Sequence, residues 1–344
     1  MLTGASRVLA AALLVTSFAA VAAPTAGAAP VCVWTRTALP TPSDRTAGDV
    51  TGGNDKGVYV GYTYQPSVIF AGSGPKFGAV WSGGQLVSSA AAAGTVYNAV
   101  NDAGTIAGYT TDANGVVHAT TFTTAGAATA LPEDPSWNYS EAIAINSAGD
   151  VAGEVGFGGS SHVVVWHAGA YKVLPQSASR MDLVHAIDDQ GHVLADMALP
   201  VTKDEVTGVV WDADGTRHVL AGASPTVWHT TYTIRAGVVA GSYGGTQAAL
   251  WTADGKLSAK IAGGTAATAI GATGTVGGQA YDSVAQKYSA VLWKSGQVVA
   301  TLPTTRPTAG VAAVGPDDHT AAGSEFGRTW GGGPDDLPVA WRCM

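Results

Sequence analysis

The chain has 344 residues, 25 acidic against 17 basic, for a formal net charge of −8. Nucleic acid and anionic membrane both demand a basic footprint, so neither is expected as a partner. Two cysteines and 46 glycines spread along the chain speak against a zinc framework or a glycine-rich linker, and the length suits two ordinary domains or one large repeat domain.

Residues 1–28 read as a signal peptide. Arg7 opens a weakly basic start, an apolar run extends from Val8 to about Ala23, and Ala26-Gly27-Ala28 supplies a small-residue cleavage pattern. That run is too short and too alanine-rich for a good membrane span, and no later stretch is long enough for one. The remainder, 29–344, is expected to be a single secreted, extracellular domain. Cys32 and Cys343 lie at its two ends. An even count in an exported chain predicts a disulfide bond between them.

One phrase recurs from residue 50 onward: an apolar pair, Asn or Asp, a polar turn, Gly, an apolar strand and a second Gly. It runs Asn54 to Gly61, Asn101 to Gly108 and Asn146 to Gly153, then continues in weaker form from Asp188. The turn glycines Gly57, Gly104, Gly149, Gly191, Gly237 and Gly274 step by 47, 45, 42, 46 and 37 residues. In a second phase of the same period, Trp81, Trp166, Trp211, Trp251, Trp293 and Trp341 each end a short apolar run, with Phe122 in the second copy. A turn and another apolar run follow each aromatic, often ending in Leu-Pro, as at Leu131-Pro132 and Leu174-Pro175. Each unit therefore holds four short strands, with units starting near 50, 95, 139, 182, 226, 265 and 309. Four strands at a period of roughly 40–45 residues mark a propeller blade. The expected fold is all-β, a seven-bladed β-propeller with N-/C-terminal strand closure. The segment from Val31 would complete the last blade beside Pro338–Trp341, with the disulfide in place of the missing turn.

Asn101 to Gly108 followed by His118-Ala119-Thr120-Thr121-Phe122, and the later His162 to Trp166, resemble the HAF-type extracellular repeat. The resemblance covers about residues 50–344. It implies an exported bacterial repeat protein and brings no catalytic residues.

The chain carries no H-E-x-x-H, no G-x-S-x-G, no phosphate-binding loop and no Cys/His zinc cluster. Ser73-Gly74-Pro75-Lys76 matches S-x-x-K in letters, but Gly-Pro forbids the helix that motif needs. Asp212-Ala213-Asp214-Gly215 lacks the distal acid of a calcium loop and reads as a hairpin tip. His118 and His162 share one repeat position and read as structural. No catalytic residue, cofactor or metal is expected.

Departures from the repeat are more informative, because function sits on loops of a rigid scaffold. The segments leading into the first strands of units three to five carry Trp137, Tyr139, Glu141, Arg180, Asp182, His185, Trp228, His229 and Tyr232. Blade order predicts that they converge on one mouth of the channel and bind a glycan or a peptide. The alternative is that Trp137 and Trp228 fill gaps between blades. Tyr62, Tyr64, Tyr243, Tyr281 and the stretch from Ser324 to Asp336 are further candidates on the same face. The expected function is a non-enzymatic, monomeric binding or interaction module. The alternative is a glycosidase or lyase using Glu133, Asp134, Glu141 or Asp182.

Overall fold

The computed structural model of the chain describes residues 32–66, 74–177, 182–198, 206–222, 229–327 and 336–344. The expected signal peptide lies outside the described residues. Residues Met1–Cys32 and Val33–Met344 divide into two units, and the second holds every strand found among the described residues.

Strand β1 is Trp34–Ala38. The first sheet follows as β2 (Ala47–Gly53), β3 (Val58–Tyr64), β4 (Phe77–Ser82) and β5 (Gln85–Ser89). The second is β6 (Val96–Val100), β7 (Thr105–Thr111), β8 (Val117–Thr123) and β9 (Ala128–Ala130). The third is β10 (Tyr139–Ile145), β11 (Val151–Phe157), β12 (Ser160–His167) and β13 (Ala170–Val173). The fourth is β14 (Asp182–Ile187), β15 (Val193–Ala198), β16 (Val206–Trp211) and β17 (Arg217–Val219). The fifth is β18 (His229–Arg235), β19 (Val238–Tyr243), β20 (Gln247–Thr252) and β21 (Leu257–Lys260). The rest are β22 (Ala266–Ile270), β23 (Val276–Asp282), β24 (Lys287–Lys294), β25 (Gln297–Thr301), β26 (Thr308–Val314), β27 (Thr320–Phe326) and β28 (Leu337–Cys343).

The fold is an all-β propeller, but the expectation of seven separate blades is corrected. Five four-stranded sheets stand alone, and the other eight strands, β22 to β28 with β1, form one continuous sheet. A parallel pair, Tyr288 with Thr308, joins β24 to β26, and the Tyr288 N–H donates to the Pro307 carbonyl at 2.9 Å. That bond crosses a boundary which a strand count along the sequence treats as a gap.

The chain ends meet as the closure reading requires. Strand β1 runs antiparallel to β28, with Trp34 opposite Cys343 and Ala38 opposite Val339. Both cysteines are disulfide-bonded and the chain has only two, so the bond is Cys32–Cys343.

The core lies between sheets. Trp81, Trp166, Trp211, Trp251, Trp293 and Trp341 are all buried. The indole N–H of Trp166 donates to the Pro132 carbonyl at 2.8 Å, and Trp81, Trp211 and Trp341 reach Pro40, Pro175 and Pro303 in the same way. The Leu-Pro phrase is therefore the acceptor for the next unit's tryptophan, a bond that lets a buried N–H avoid its desolvation cost. Trp251 uses the Ala221 carbonyl instead, and the buried Trp293 N–H finds no acceptor among the described residues.

The two repeat glycines have different duties. Gly104 holds a positive φ of 80° in the β6–β7 turn. Gly108 lies beside the innermost strand, where an added Cβ would overlap the Val96 carbonyl oxygen. That close approach reflects a β-bulge, which recurs in β2, β6, β10, β14, β18, β22 and β26. The register skips Thr51, Asn98, Ile143, His185, Tyr232, Thr268 and Ala312 in turn. A bulge re-aims its extra side chain, and all of these line the axis.

Candidate functional site

An axial cavity of about 380 Å³ extends from the bulge residues to the hairpin turns after the innermost strands. Its turn-side rim includes Asn54, Asn101, Asn146 and Asp188. Each Asn caps its own turn, and its side-chain amide also donates to the next turn. Asn54 Nδ2 reaches the Asn101 carbonyl at 2.8 Å, Asn101 the Asn146 carbonyl at 3.0 Å, and Asn146 the Asp188 carbonyl at 3.2 Å. Asp188 then accepts the Gly237 N–H at 2.8 Å. Arg235, at the end of β18, pairs with Asp55 of the β2–β3 turn, with Nη1 to Oδ1 at 3.2 Å.

The bulges are stitched to the neighbouring sheet in two interchangeable ways. In one, the bulge side chain donates to the next innermost strand. Thr51 reaches the Tyr97 carbonyl at 2.8 Å, Asn98 the Ala142 carbonyl at 2.9 Å and Thr268 the Val311 carbonyl at 2.5 Å. In the other, the residue after the second repeat glycine, or its counterpart, accepts an N–H from the next innermost strand. Glu154 takes the Val184 N–H at 2.7 Å, Asp196 takes Thr231 N–H at 3.1 Å and Ser324 takes Val50 N–H at 3.0 Å. Beside Thr51 and Asn98 the equivalent second-strand position is released and holds Tyr62 and Tyr109, whereas beside Thr268 it is Gln279, which donates to the Ala309 carbonyl at 3.0 Å. Where the second strand does the work, the bulge residue is released, as with His185; Tyr232 is released too, in a unit whose counterpart Ser242 donates to the Thr265 carbonyl at 2.9 Å.

The released tyrosines sit with the charged groups on the other side of the bulges, the mouth. Lys76 Nζ lies 4.1 Å above the Tyr62 ring, whose centroid is 6.2 Å from that of Tyr64. The Tyr64 hydroxyl donates to buried Asp336 at 2.9 Å. Asp49 accepts the Ser324 hydroxyl. Burial, opposed by that bond and reinforced by the Asp336 charge, pushes the Asp49 carboxyl up to about 6. Burial also raises Glu141, although Asn98 donates to it at 3.2 Å. Burial, then the Glu141 charge, pushes Tyr109 up to about 12. These shifts tie Asp49, Tyr62, Lys76, Tyr109 and Glu141 into one electrostatic neighbourhood.

The predicted site residues do not all meet. Glu141 belongs to the mouth, and His185 and Tyr232 line the axial cavity, their ring centroids 6.5 Å apart. Tyr139 donates or accepts at Ser161 Oγ, 2.6 Å away. Trp137 packs against Tyr171 and Trp166, with centroids at 4.7 and 6.4 Å, so for this indole the packing alternative describes its surroundings. His229 is fully buried against Tyr243 and Trp251. It starts β18, where the side chain points into the packed layer and away from the axis. Arg180 and Trp228 lie outside the described residues, as does the side chain of Asp182. Of the carboxylates weighed for hydrolysis, Glu133 pairs with His118 at 3.1 Å and Asp134 caps Ser136 at 2.9 Å.

Asp49, Asn98, Tyr109 and Asp196 were not singled out from the sequence, and Lys76 entered only through the S-x-x-K match. The position after the second repeat glycine carries a usable signal: it varies as Tyr62, Tyr109, Glu154, Asp196, Ser242, Gln279 and Ser324 within an otherwise regular phrase. Among the described residues, no cluster of His, Cys, Asp or Glu could hold a metal ion, and no helix is long and apolar enough to cross a membrane.

No family model matches the chain, and no curated protein matches it. Solved structures do. Virginiamycin B lyase from Staphylococcus aureus superposes with a TM-score of 0.56 at 13% identity, covering 91% of this chain and 100% of that one. The β-propeller domain of the Trilobed protease from Pyrococcus furiosus gives 0.53 at 10% identity, covering 86% and 94%. TolB from Acinetobacter baumannii gives 0.50 at 11% identity, covering 71% of this chain, which spans 62% of TolB's length. At these identities the likeness is one of fold.

Proposed function

We propose that this propeller is an exported, non-enzymatic binding module that holds a glycan or a peptide at its mouth. The observation that carries the reading is the grouping of Tyr62 and Tyr109 with Lys76, Asp49 and Glu141 in one sector. Tyrosine faces stack on sugar rings or apolar side chains, while the charged groups orient a polar ligand. A disulfide fits an oxidising compartment, as does the HAF-type resemblance. The test is a glycan and peptide array probed with the purified protein, followed by a Tyr62→Ala, Tyr109→Ala variant. We expect array hits that this variant loses while its melting temperature stays close to the parent's. Hits retained by the variant would move the site elsewhere.

One observation favours a second reading, an extracellular glycosidase or lyase. Asp49, pushed up to about 6 beside Asp336, holds a proton in mildly acidic solution, as a general acid must. Polysaccharide cleavage lost in Asp49→Asn would establish it. Binding without cleavage, unaffected by that substitution, would dismiss it.

A further inference from the structure

The axial cavity is set apart from the mouth by the ring of bulge residues, and most of that ring is chemically spent. Thr51, Asn98 and Thr268 give their donors to the next sheet, and Ile143 and Ala312 have none to give. His185 and Tyr232 remain. They are neighbours in the ring, and both face the cavity.

His185 is held from behind. Its Nε2 is buried, makes no hydrogen bond among the described residues, and lies 3.1 Å from Oδ2 of Asp196, a carboxylate that is itself 2% exposed. Asp196 also accepts the Thr231 hydroxyl at 2.7 Å and the Thr231 N–H at 3.1 Å, which ties it to the β18 bulge. Nε2 is the ring nitrogen nearer the buried carboxylate, so the neutral tautomer with its hydrogen there leaves Nδ1 as an acceptor. The Tyr232 side chain is 37% exposed, and its hydroxyl makes no hydrogen bond among the described residues. Burial, then the Asp196 charge, raises its pKa, so it stays a donor. The pair thus offers one acceptor and one donor side by side.

Charge in the cavity is largely matched. Arg235 pairs with Asp55, and Asp188 is occupied by the N–H groups of Gln190, His192 and Gly237. Asp102 and Asp189 cap the Asp55 and Ser147 N–H groups of neighbouring turns. An anion would meet these carboxylates, and a cation would meet Arg235. The Tyr232 ring and Ile143 supply apolar surface. The volume falls within the range of small-molecule pockets, roughly 300–1,000 Å³.

We propose that the axial cavity is a second binding site, for a small neutral polyol such as a monosaccharide, read by His185 and Tyr232 and positioned by Asp196. A ring hydroxyl donates to His185 Nδ1 and a neighbouring one accepts from Tyr232, while the C–H face lies on the Tyr232 ring. The site is distinct from the mouth and stands whether or not the mouth takes a glycan.

The test titrates D-glucose, D-galactose, D-mannose, N-acetyl-D-glucosamine and myo-inositol separately into the full protein, followed by NMR of the histidine imidazoles. At least one should shift the His185 signals saturably. Tyr232→Phe and His185→Ala should each weaken that binding by about tenfold or more, the loss of a ligand hydrogen bond in a cavity. Asp196→Asn should move His185 toward the Nδ1–H tautomer in its nitrogen shifts and weaken binding as well, a signature that mere support of the fold would not produce. If Asp196→Asn fails to fold, Tyr232→Phe decides, because that hydroxyl has no partner to lose among the described residues. Failure of all five probes to touch His185, or unchanged affinity in Tyr232→Phe and His185→Ala, overturns the proposal.

Discussion

The arc from β2 to β17 and the arc from β18 to β28 meet the same geometric demands with different chemistry. In the first, Asn54, Asn101 and Asn146 link turn to turn by one repeated amide bond. In the second, that Asn is gone. Arg235 reaches the Ile270 carbonyl at 3.5 Å, and Asp318 accepts Thr273 at 2.5 Å and Lys294 at 2.6 Å. A steric reason is visible at Gly271, the counterpart of Asn101: a Cβ there would lie 2.9 Å from Val314 Cγ1. The repeat decays in sequence where packing leaves no room for its marker residue, while the bulge and its register persist. A weak repeat therefore does not mean a weak blade.

The largest effect should come at the seam that closes the second arc. Reducing Cys32–Cys343 removes a constraint on almost the whole chain, worth up to roughly 5 kcal/mol on the loop-entropy account. The melting temperature should fall by several degrees. An unchanged value would mean that the β1–β28 ladder alone holds the closure.

Next come the tryptophans. Trp166→Ala and Trp293→Ala should each cost about 3–5 kcal/mol by denaturant titration, since both are fully buried. Phenylalanine separates the arcs. Trp166→Phe also strips the Pro132 carbonyl of its donor and should cost about 1 kcal/mol more than Trp293→Phe, whose N–H has no acceptor among the described residues. Equal costs would erase that distinction.

Asn101→Ala should destabilise by about 1–2 kcal/mol, as its side chain bonds Ala103 N–H at 3.1 Å, Thr105 N–H at 3.0 Å and the next turn. Restoring the marker by Gly271→Asn should also destabilise. A stabilised Gly271→Asn protein would refute the steric account of the decay.

A separate effect, a change of slope with pH, should appear at the joint between the arcs, where Asp49 meets Ser324. The folded Asp49 carboxyl titrates at about 6 against an ordinary value of 3.8, so the folded state binds the extra proton. Stability must therefore fall as pH rises between about 4 and 6, with the penalty absent below this window and complete above it. Asp49→Asn should lose this contribution, so its melting temperature should gain on the parent's as pH rises through the window. Parallel profiles would place Asp49 at its ordinary value.

Much of the fold was legible before any coordinate. Strand starts at Ala47, Val96, Tyr139, Asp182, His229, Ala266 and Thr308 lie within a few residues of the predicted unit starts. The tryptophans are buried where their phase put them, and the chain ends pair. The site was legible only in part. His185 and Tyr232 do share the axial cavity, but His229 and Trp137 do not. Two of the predicted residues, Arg180 and Trp228, lie outside the described residues. Simple alternation cannot show a β-bulge, and the bulge decides which side chain of each innermost strand faces the axis.

The sequence alone determined that this chain is a repeated four-stranded propeller with a disulfide seam, because strand period, turn glycines and buried aromatics are local, additive signals. Tertiary structure alone decided that eight strands fuse into one sheet through Tyr288 and Thr308. It also decided that Leu-Pro serves as an indole acceptor, and that Asp196 stands behind His185. Those are contacts between neighbouring units, set by how bulged strands pack around an axis, and no residue pattern within one unit records which partner the next unit will offer.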